Sequence, residues 1–244
     1  MVCASAEAFR RGHPIQIKKI PIMNKSSYRF AFTLIELLTV ISIIGILAGI
    51  AIPAYQHAMK VGKMTSAMNS ARQIGMALKM YSGDNDGNYP IKQNSYGEDI
   101  VTSNDAFRSL VPSYLDTEKV FTVPGSKAGP SADEQIDDAA HILQPGENHW
   151  AFVSGLNSTS KSNWPLIADN TDGSGNYTTQ EGSYGGTWGG TNAVVVYADI
   201  SAHVLPLSGT GNQRYLPRPD DKTKNALAVN EYMGDSVQLL EPAH

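Results

Sequence analysis

The chain has 244 residues, 41% hydrophobic and 17% charged, with a formal net charge of −4. That is enough apolar material for a core and too little charge for a disordered polyampholyte. The charge is uneven: six of the 19 basic residues (Arg10, Arg11, Lys18, Lys19, Lys25, Arg29) but only one of the 23 acids, Glu7, precede Phe32. No basic patch interleaved with aromatics follows, so a nucleic-acid partner is not expected; a basic head before an acidic body is instead a membrane-topology signal. The single cysteine, Cys3, lies ahead of Phe32, which excludes a disulfide, a thiol nucleophile or a cysteine metal site from the rest of the chain.

In chain order, residues 1–31 form a basic leader, within which Met23 offers a second start. From Phe32 the sequence turns apolar, and residues 37–55 carry no charge. That length suffices for a helix to cross a hydrocarbon core of roughly 30 Å. The positive flank is expected to stay in the cytoplasm, placing everything after Tyr55 beyond the membrane. Glu36 stands inside the apolar stretch, where an ionised carboxylate needs a partner. A secretory signal peptide cut near residues 48–51 and a plain membrane anchor both remain open, but neither accounts for Glu36 or for the helix that follows.

The helical pattern continues past the apolar run. Val61, Met64, Ala67, Met68, Ala71, Ile74, Gly75, Leu78 and Tyr81 recur every three or four residues, with Lys60, Lys63, Arg72 and Lys79 mainly on the other faces. This predicts one helix over about residues 32–82, roughly 75 Å long at 1.5 Å per residue. Pro53 lies inside it and should kink it or loosen its hydrogen bonding. Gly45 and Gly49 form a Gly-x-x-x-Gly pair that permits close helix approach, although small residues are common in membrane helices generally.

Residues 82–90 are dense in turn formers. Asp84, Asp86 and Asn88 alternate as in a calcium loop, but Tyr89 and Ser95 stand where that loop needs Gly and Glu, so an Asx-rich helix terminator is the favoured reading. A short helix is predicted at 105–110, with a second at 111–112, and strands at 149–153, 165–168 and 193–196. Residues 194–198 and 203–205, joined by Asp199, Ile200, Ser201 and Ala202, read as an antiparallel hairpin. Residues 169–191 form a long Gly-rich loop, a kind of segment that is usually functional or mobile. Within it Asp169, Asp172 and Asn176, with Asn170 and Glu181 nearby, offer oxygens for a structural calcium ion. Trp164, Tyr177, Tyr184 and Trp188 suggest either packing or an exposed aromatic patch for glycan recognition by a membrane-anchored binding protein. His141, His149 and His203 lack metal-ligand spacing and no nucleophile motif occurs, so no enzyme is expected.

The segment from Arg29 to Tyr55 resembles the amino-terminal signal of type IV prepilins and type II secretion pseudopilins: a basic leader, a small residue, Phe-Thr-Leu-Ile-Glu-Leu, a long apolar run, Pro53 and a following Tyr. The resemblance implies cleavage by a membrane prepilin peptidase between Ala31 and Phe32, with N-methylation of Phe32. Ala31 stands where the family usually has Gly. It further implies that Glu36 pairs with the amine of a neighbouring subunit's first residue, and that Gly45, Gly49 and Pro53 mark a flexible part of an assembly stem. The implied fold is α+β and pilin-like, its long helix packed on a small antiparallel sheet with long loops. The expected parts are a leader (1–31), a transmembrane and assembly helix (32–55), its amphipathic continuation (56–82) and a globular head (83–244). The implied location is the inner membrane, single-pass with the head outside the cytoplasm, and then a pseudopilus or pilus. Implied partners are other pilin or pseudopilin subunits and an inner-membrane assembly platform. The hairpin is similar to the closing Asp-Gly hairpin of a bacterial pseudopilin-like group, with Ile200 replacing the Gly and Gly189 replacing an upstream His. The family also suggests a calcium-stabilised late loop.

Overall fold

The computed structural model describes residues 33–126, 129, 132–138 and 140–243; Ala31, Phe32 and the leader lie outside them. The chain divides into two units, Met1–Ile50 and Ala51–His244, and helix α1 (Leu34–Asp84) belongs to both.

In the first unit the described chain is the start of α1. Thr33 and Glu36 form a reciprocal cap: the Glu36 N–H donates to the Thr33 hydroxyl (3.3 Å), and the Thr33 N–H donates to the Glu36 carboxylate (2.9 Å). Two of the orphan donors at the helix start are satisfied in this way. The large apolar side chains that follow are exposed, from 45% at Val40 to 80% at Leu34.

In the second unit α1 buries Met64, Ala67, Ala71, Ile74, Gly75, Ala77, Leu78 and Ser82. This is the stripe expected from the sequence, except that Val61 is exposed and Met68 and Tyr81 are only partly covered. Alanine and glycine dominate the stripe, so the sheet can approach the helix backbone closely. Past Asp84 the helix stops where Asp86 and Gly87 take positive φ (54° and 81°) and the Gly87 N–H returns to the Ser82 carbonyl. Asp84 accepts the Tyr114 hydroxyl at 2.9 Å.

The sheet has five strands in the order β4-β3-β2-β1-β7, every neighbour antiparallel: β1 (Trp150–Ser154), β2 (Pro165–Asp169), β3 (Asn192–Tyr197), β4 (Ala202–Pro206) and β7 (Gln238–Leu240). A two-stranded ribbon, β5 (Ser208–Thr210) and β6 (Gln213–Tyr215), lies outside it. Strand pleating sends alternate residues of β3 to opposite faces. Val194 and Val196 join the main core with Ile74, Leu78, Phe152 and Leu166, whereas Ala193 and Val195 join a second core with Tyr177, Leu216 and Leu227. The second core arises because the loops after β2 and β6 cover the sheet's other face, so β1 and β2 are buried throughout.

The second helix, α2, spans Ser103–Arg108 and not 105–110, because Thr102 caps it with Asp105 in the reciprocal position. A buried polar network fastens it to β1. Asn148 donates to the Ser103 hydroxyl (2.8 Å) and the Trp150 carbonyl (3.1 Å), while its own oxygen accepts the Trp150 N–H (3.0 Å). Asn104 donates to the carbonyls of Leu143 and Gln144 and accepts the Ala243 N–H. Residues 111–112, read from sequence as a second short helix, form a turn instead, and a 3-10 turn occurs later at Lys119–Phe121. A last short helix, α3, spans Val229–Met233.

Candidate functional site

The stem is the part of the chain whose apolar surface the described residues do not cover. Helix α1 contains an 18-residue window apolar enough to cross a membrane by length and composition, and none of that window is buried. Cβ atoms added at Gly45 and Gly49 would meet nothing within 4 Å. Packing among the described residues therefore does not require either glycine. Pro53 lies inside α1 and lacks the N–H that would bond the Gly49 carbonyl four residues earlier. The carboxylate of Glu36 accepts both the N–H (2.9 Å) and the hydroxyl (2.6 Å) of Thr33. A residue flagged by sequence as needing a partner thus has one within its own first turn.

The loop after β2 places the other predicted residues. Asp172 and Asn176 share a turn: Asp172 Oδ1 accepts the N–H and hydroxyl of Ser174 (3.0 and 2.6 Å) and the N–H of Asn176 (3.2 Å). Asn176 in turn donates to the Ser174 hydroxyl and accepts from Asn225. Asp169 is separate from this turn. It is fully buried at the end of β2, where its Oδ1 accepts the Val194 N–H (3.0 Å) and the Tyr177 hydroxyl (3.2 Å). Burial pushes its pKa up from 3.8 to about 7 against those two hydrogen bonds. Glycines serve the loop by geometry: Gly185 has φ +75°, and a Cβ there would lie 3.0 Å from the Asp172 nitrogen. Of the four aromatics, Tyr177 and Trp188 are interior, whereas Trp164 and Tyr184 are half-buried.

Residues 26–52 match the prokaryotic N-terminal methylation motif, the signal of type IV pilins. That match supports a type IV pilin-like family for the chain. The chain is 38% identical over 98 residues to fimbrial protein EcpC of Eikenella corrodens, a match covering 40% of this chain and 63% of that protein. The chain thus spans less than two thirds of that relative's length. No solved structure matches it.

Three features of the pilin-like head escaped the sequence reading. Lys60, assigned to a solvent face, donates to the Trp188 carbonyl (2.9 Å) and the Thr191 hydroxyl (3.0 Å), so α1 holds the end of the Gly-rich loop. Its periodicity placed it off the stripe, and only the return of a loop 128 residues later gives it partners. In the β3–β4 hairpin Ile200 itself adopts φ +66°, the left-handed conformation that glycine fills at little cost. The left-handed position of the turn is thus filled without a glycine: the Ile200 N–H bonds the Tyr197 carbonyl, and Asp199 accepts the Ser201 N–H. The isoleucine instead packs on the core beside Gly75 of α1. Third, the carboxylates of Glu118, Asp133 and Glu147 converge. Burial raises the pKa of Glu118, with the Leu143 N–H opposing it and the charges of Glu147 and Asp133 adding to it. Burial raises Glu147 likewise, opposed by the Gln144 N–H and reinforced by Asp133. No spacing rule links residues 15 and 14 apart in irregular loops, so sequence gave no signal for this cluster.

Proposed function

We propose that this protein is a structural subunit of a pilus-like filament, assembled through its apolar stem. The observation that carries this reading is the exposure of every large apolar side chain along the first turns of a helix long enough to span a bilayer. Exposed leucine and isoleucine along such a length need lipid before assembly and neighbouring stems after it. The methylation motif supports cleavage by a prepilin peptidase between Ala31 and Phe32 and N-methylation of Phe32. The basic leader supports an inner-membrane precursor with its head outside the cytoplasm, from which an assembly platform extracts subunits.

In the filament the Phe32 amine of one subunit pairs with Glu36 of the next, because a carboxylate surrounded by apolar stems is held best by a positive charge. That amine competes with Thr33, which holds the carboxylate within the single subunit. Gly45, Gly49 and Pro53 give the stem its close-packing and deformable stretch. The name of the fimbrial relative favours a pilus over a type II secretion pseudopilus. The glycan-binding alternative draws no support from Tyr177 and Trp188, whose rings are interior. The structural calcium expected at Asp169, Asp172 and Asn176 draws no support from the geometry: Asp169 is buried apart from the turn that Asp172 and Asn176 share, and Asp172 Oδ1 already accepts from Ser174 and Asn176.

The test is intact mass and amino-terminal sequencing of the protein from native membranes, with and without the prepilin peptidase. A chain beginning at N-methylated Phe32 is expected. An uncut chain, or one cut after Ala48 or Ala51, would overturn the proposal. Filaments on the cell surface containing the protein would distinguish a pilus from a pseudopilus confined to the envelope.

A further inference from the structure

We propose that Glu118, Asp133 and Glu147 bind one divalent cation of calcium size, which ties the irregular segment ahead of β1 into the head. Each of the three carboxylates offers an oxygen within 4.8 Å of the other two. Calcium holds its oxygens at about 2.3–2.6 Å, so oxygens on opposite sides of one ion are roughly 4.6–5.2 Å apart. Three oxygens no farther than 4.8 Å from one another have a common centre at most about 2.8 Å from each, close to the calcium–oxygen distance. Magnesium, with a strict octahedron and a reluctance to shed its waters, suits carboxylates presented by irregular loops less well.

A second observation points to a ligand independently of the convergence. Glu118 is fully buried, and its Oε2 has no hydrogen-bond partner. A desolvated carboxylate oxygen beside two further carboxylates is an arrangement proteins seldom leave uncompensated. Backbone donors hold the groups in place without neutralising them. The Leu143 N–H donates to Glu118 Oε1 (2.6 Å), the Asp133 and Gln144 N–H groups donate to Glu147 (3.2 and 2.7 Å), and the Gln135 N–H donates to Asp133 (2.9 Å). Among the described residues none of the three forms an ion pair, whereas the adjacent Glu134 pairs with Lys119. The donor set is all oxygen, which selects a hard cation over zinc or copper. Asp133 is exposed, which gives the ion access from solvent and leaves room for water ligands.

The three residues belong to different stretches of chain. Glu118 immediately precedes the 3-10 turn Lys119–Phe121, Asp133 lies in the loop that follows, and Glu147 sits in the turn leading into β1. An ion at their centre cross-links a segment that has little regular structure of its own. This site is separate from the turn of Asp172 and Asn176, and it does not depend on filament assembly.

The test uses the full-length protein in detergent, stripped with EGTA and titrated calorimetrically with CaCl2 or MgCl2, with Tm measured in parallel. One calcium per chain, a raised Tm and weaker magnesium binding are expected. Asp133→Asn alters an exposed side chain and should leave the fold intact while weakening calcium binding by about tenfold or more. Glu118→Gln keeps an oxygen for the Leu143 N–H and should do the same. Asp172→Asn should change neither the affinity nor the calcium-dependent rise in Tm. Absence of calcium uptake by the wild type would overturn the proposal, as would uptake insensitive to Asp133→Asn and Glu118→Gln or abolished by Asp172→Asn.

Discussion

Replacing Asp169 by Asn should remove a specific pH dependence from the stability of the head. Asp169 is fully buried and its pKa is raised from 3.8 to about 7, with burial as the leading cause. A carboxyl that holds its proton more tightly when folded stabilises the fold fully below its unfolded pKa, and that contribution is lost as pH rises through the folded value. The window is therefore about pH 4 to 7, with stability falling as pH rises. A shift of about three units at 1.36 kcal/mol each amounts to roughly 4 kcal/mol across that window. Glu118, Glu147 and Glu241 are shifted upward by burial as well, so the wild-type curve alone does not isolate Asp169. The difference between wild type and Asp169→Asn does. The amide oxygen still accepts from Val194 and Tyr177, so the two proteins should be of similar stability at pH 4. By pH 8 the variant should be the more stable by roughly 4 kcal/mol. Urea denaturation of residues 56–244, followed by tryptophan fluorescence in EGTA across pH 4–8, measures that difference. Parallel curves would refute the reasoning. A difference of opposite sign appearing only in CaCl2 would place a cation on Asp169, since a bound ion lowers a carboxyl pKa.

Other expectations follow from single contacts. A Cβ at Gly75 would lie 3.0 Å from Val196 Cγ1 and 3.3 Å from Ile200 Cγ2, so Gly75→Ala should destabilise the head by about 1–2 kcal/mol despite the better helix propensity of alanine. Combined with Val196→Ala it should cost less than the sum of the two single changes by about 0.5 kcal/mol or more in urea denaturation; strict additivity would argue against the close approach. Asn148→Leu strands the Trp150 N–H and the donors and acceptors around Ser103, and should lower stability by about 3 kcal/mol, read as a fall in Tm. Glu36→Gln keeps an oxygen for Thr33 but loses the charge, so cleavage at Phe32 should proceed while filament yield falls about tenfold or more; wild-type yield of sheared filaments would sink the proposed pairing.

The sequence by itself determined the stem. Apolar run, basic flank and a helical stripe from Met64 to Leu78 are local patterns with a fixed period, and the helix Leu34–Asp84 follows them. It also located β1, β2, β3 and the hairpin, because strands rich in valine and alanine bounded by turn residues announce themselves. The hairpin's turn was legible up to Ile200; that isoleucine adopts the conformation glycine would have taken, and packs beside Gly75, was decided only by the meeting of hairpin and helix. The same holds for Glu36: its spacing from Thr33 is in the sequence, but its capping bond shows only when the helix start is built. Strand β7 escaped notice, being three residues long and dependent for its place on pairing with β1 nearly ninety residues earlier. Lys60, Asp169 and the Glu118 cluster share that cause. Their partners come from loops without periodicity, and burial, which sets the pKa of Asp169 and isolates the oxygen of Glu118, is a property of the closed structure that no local spacing encodes.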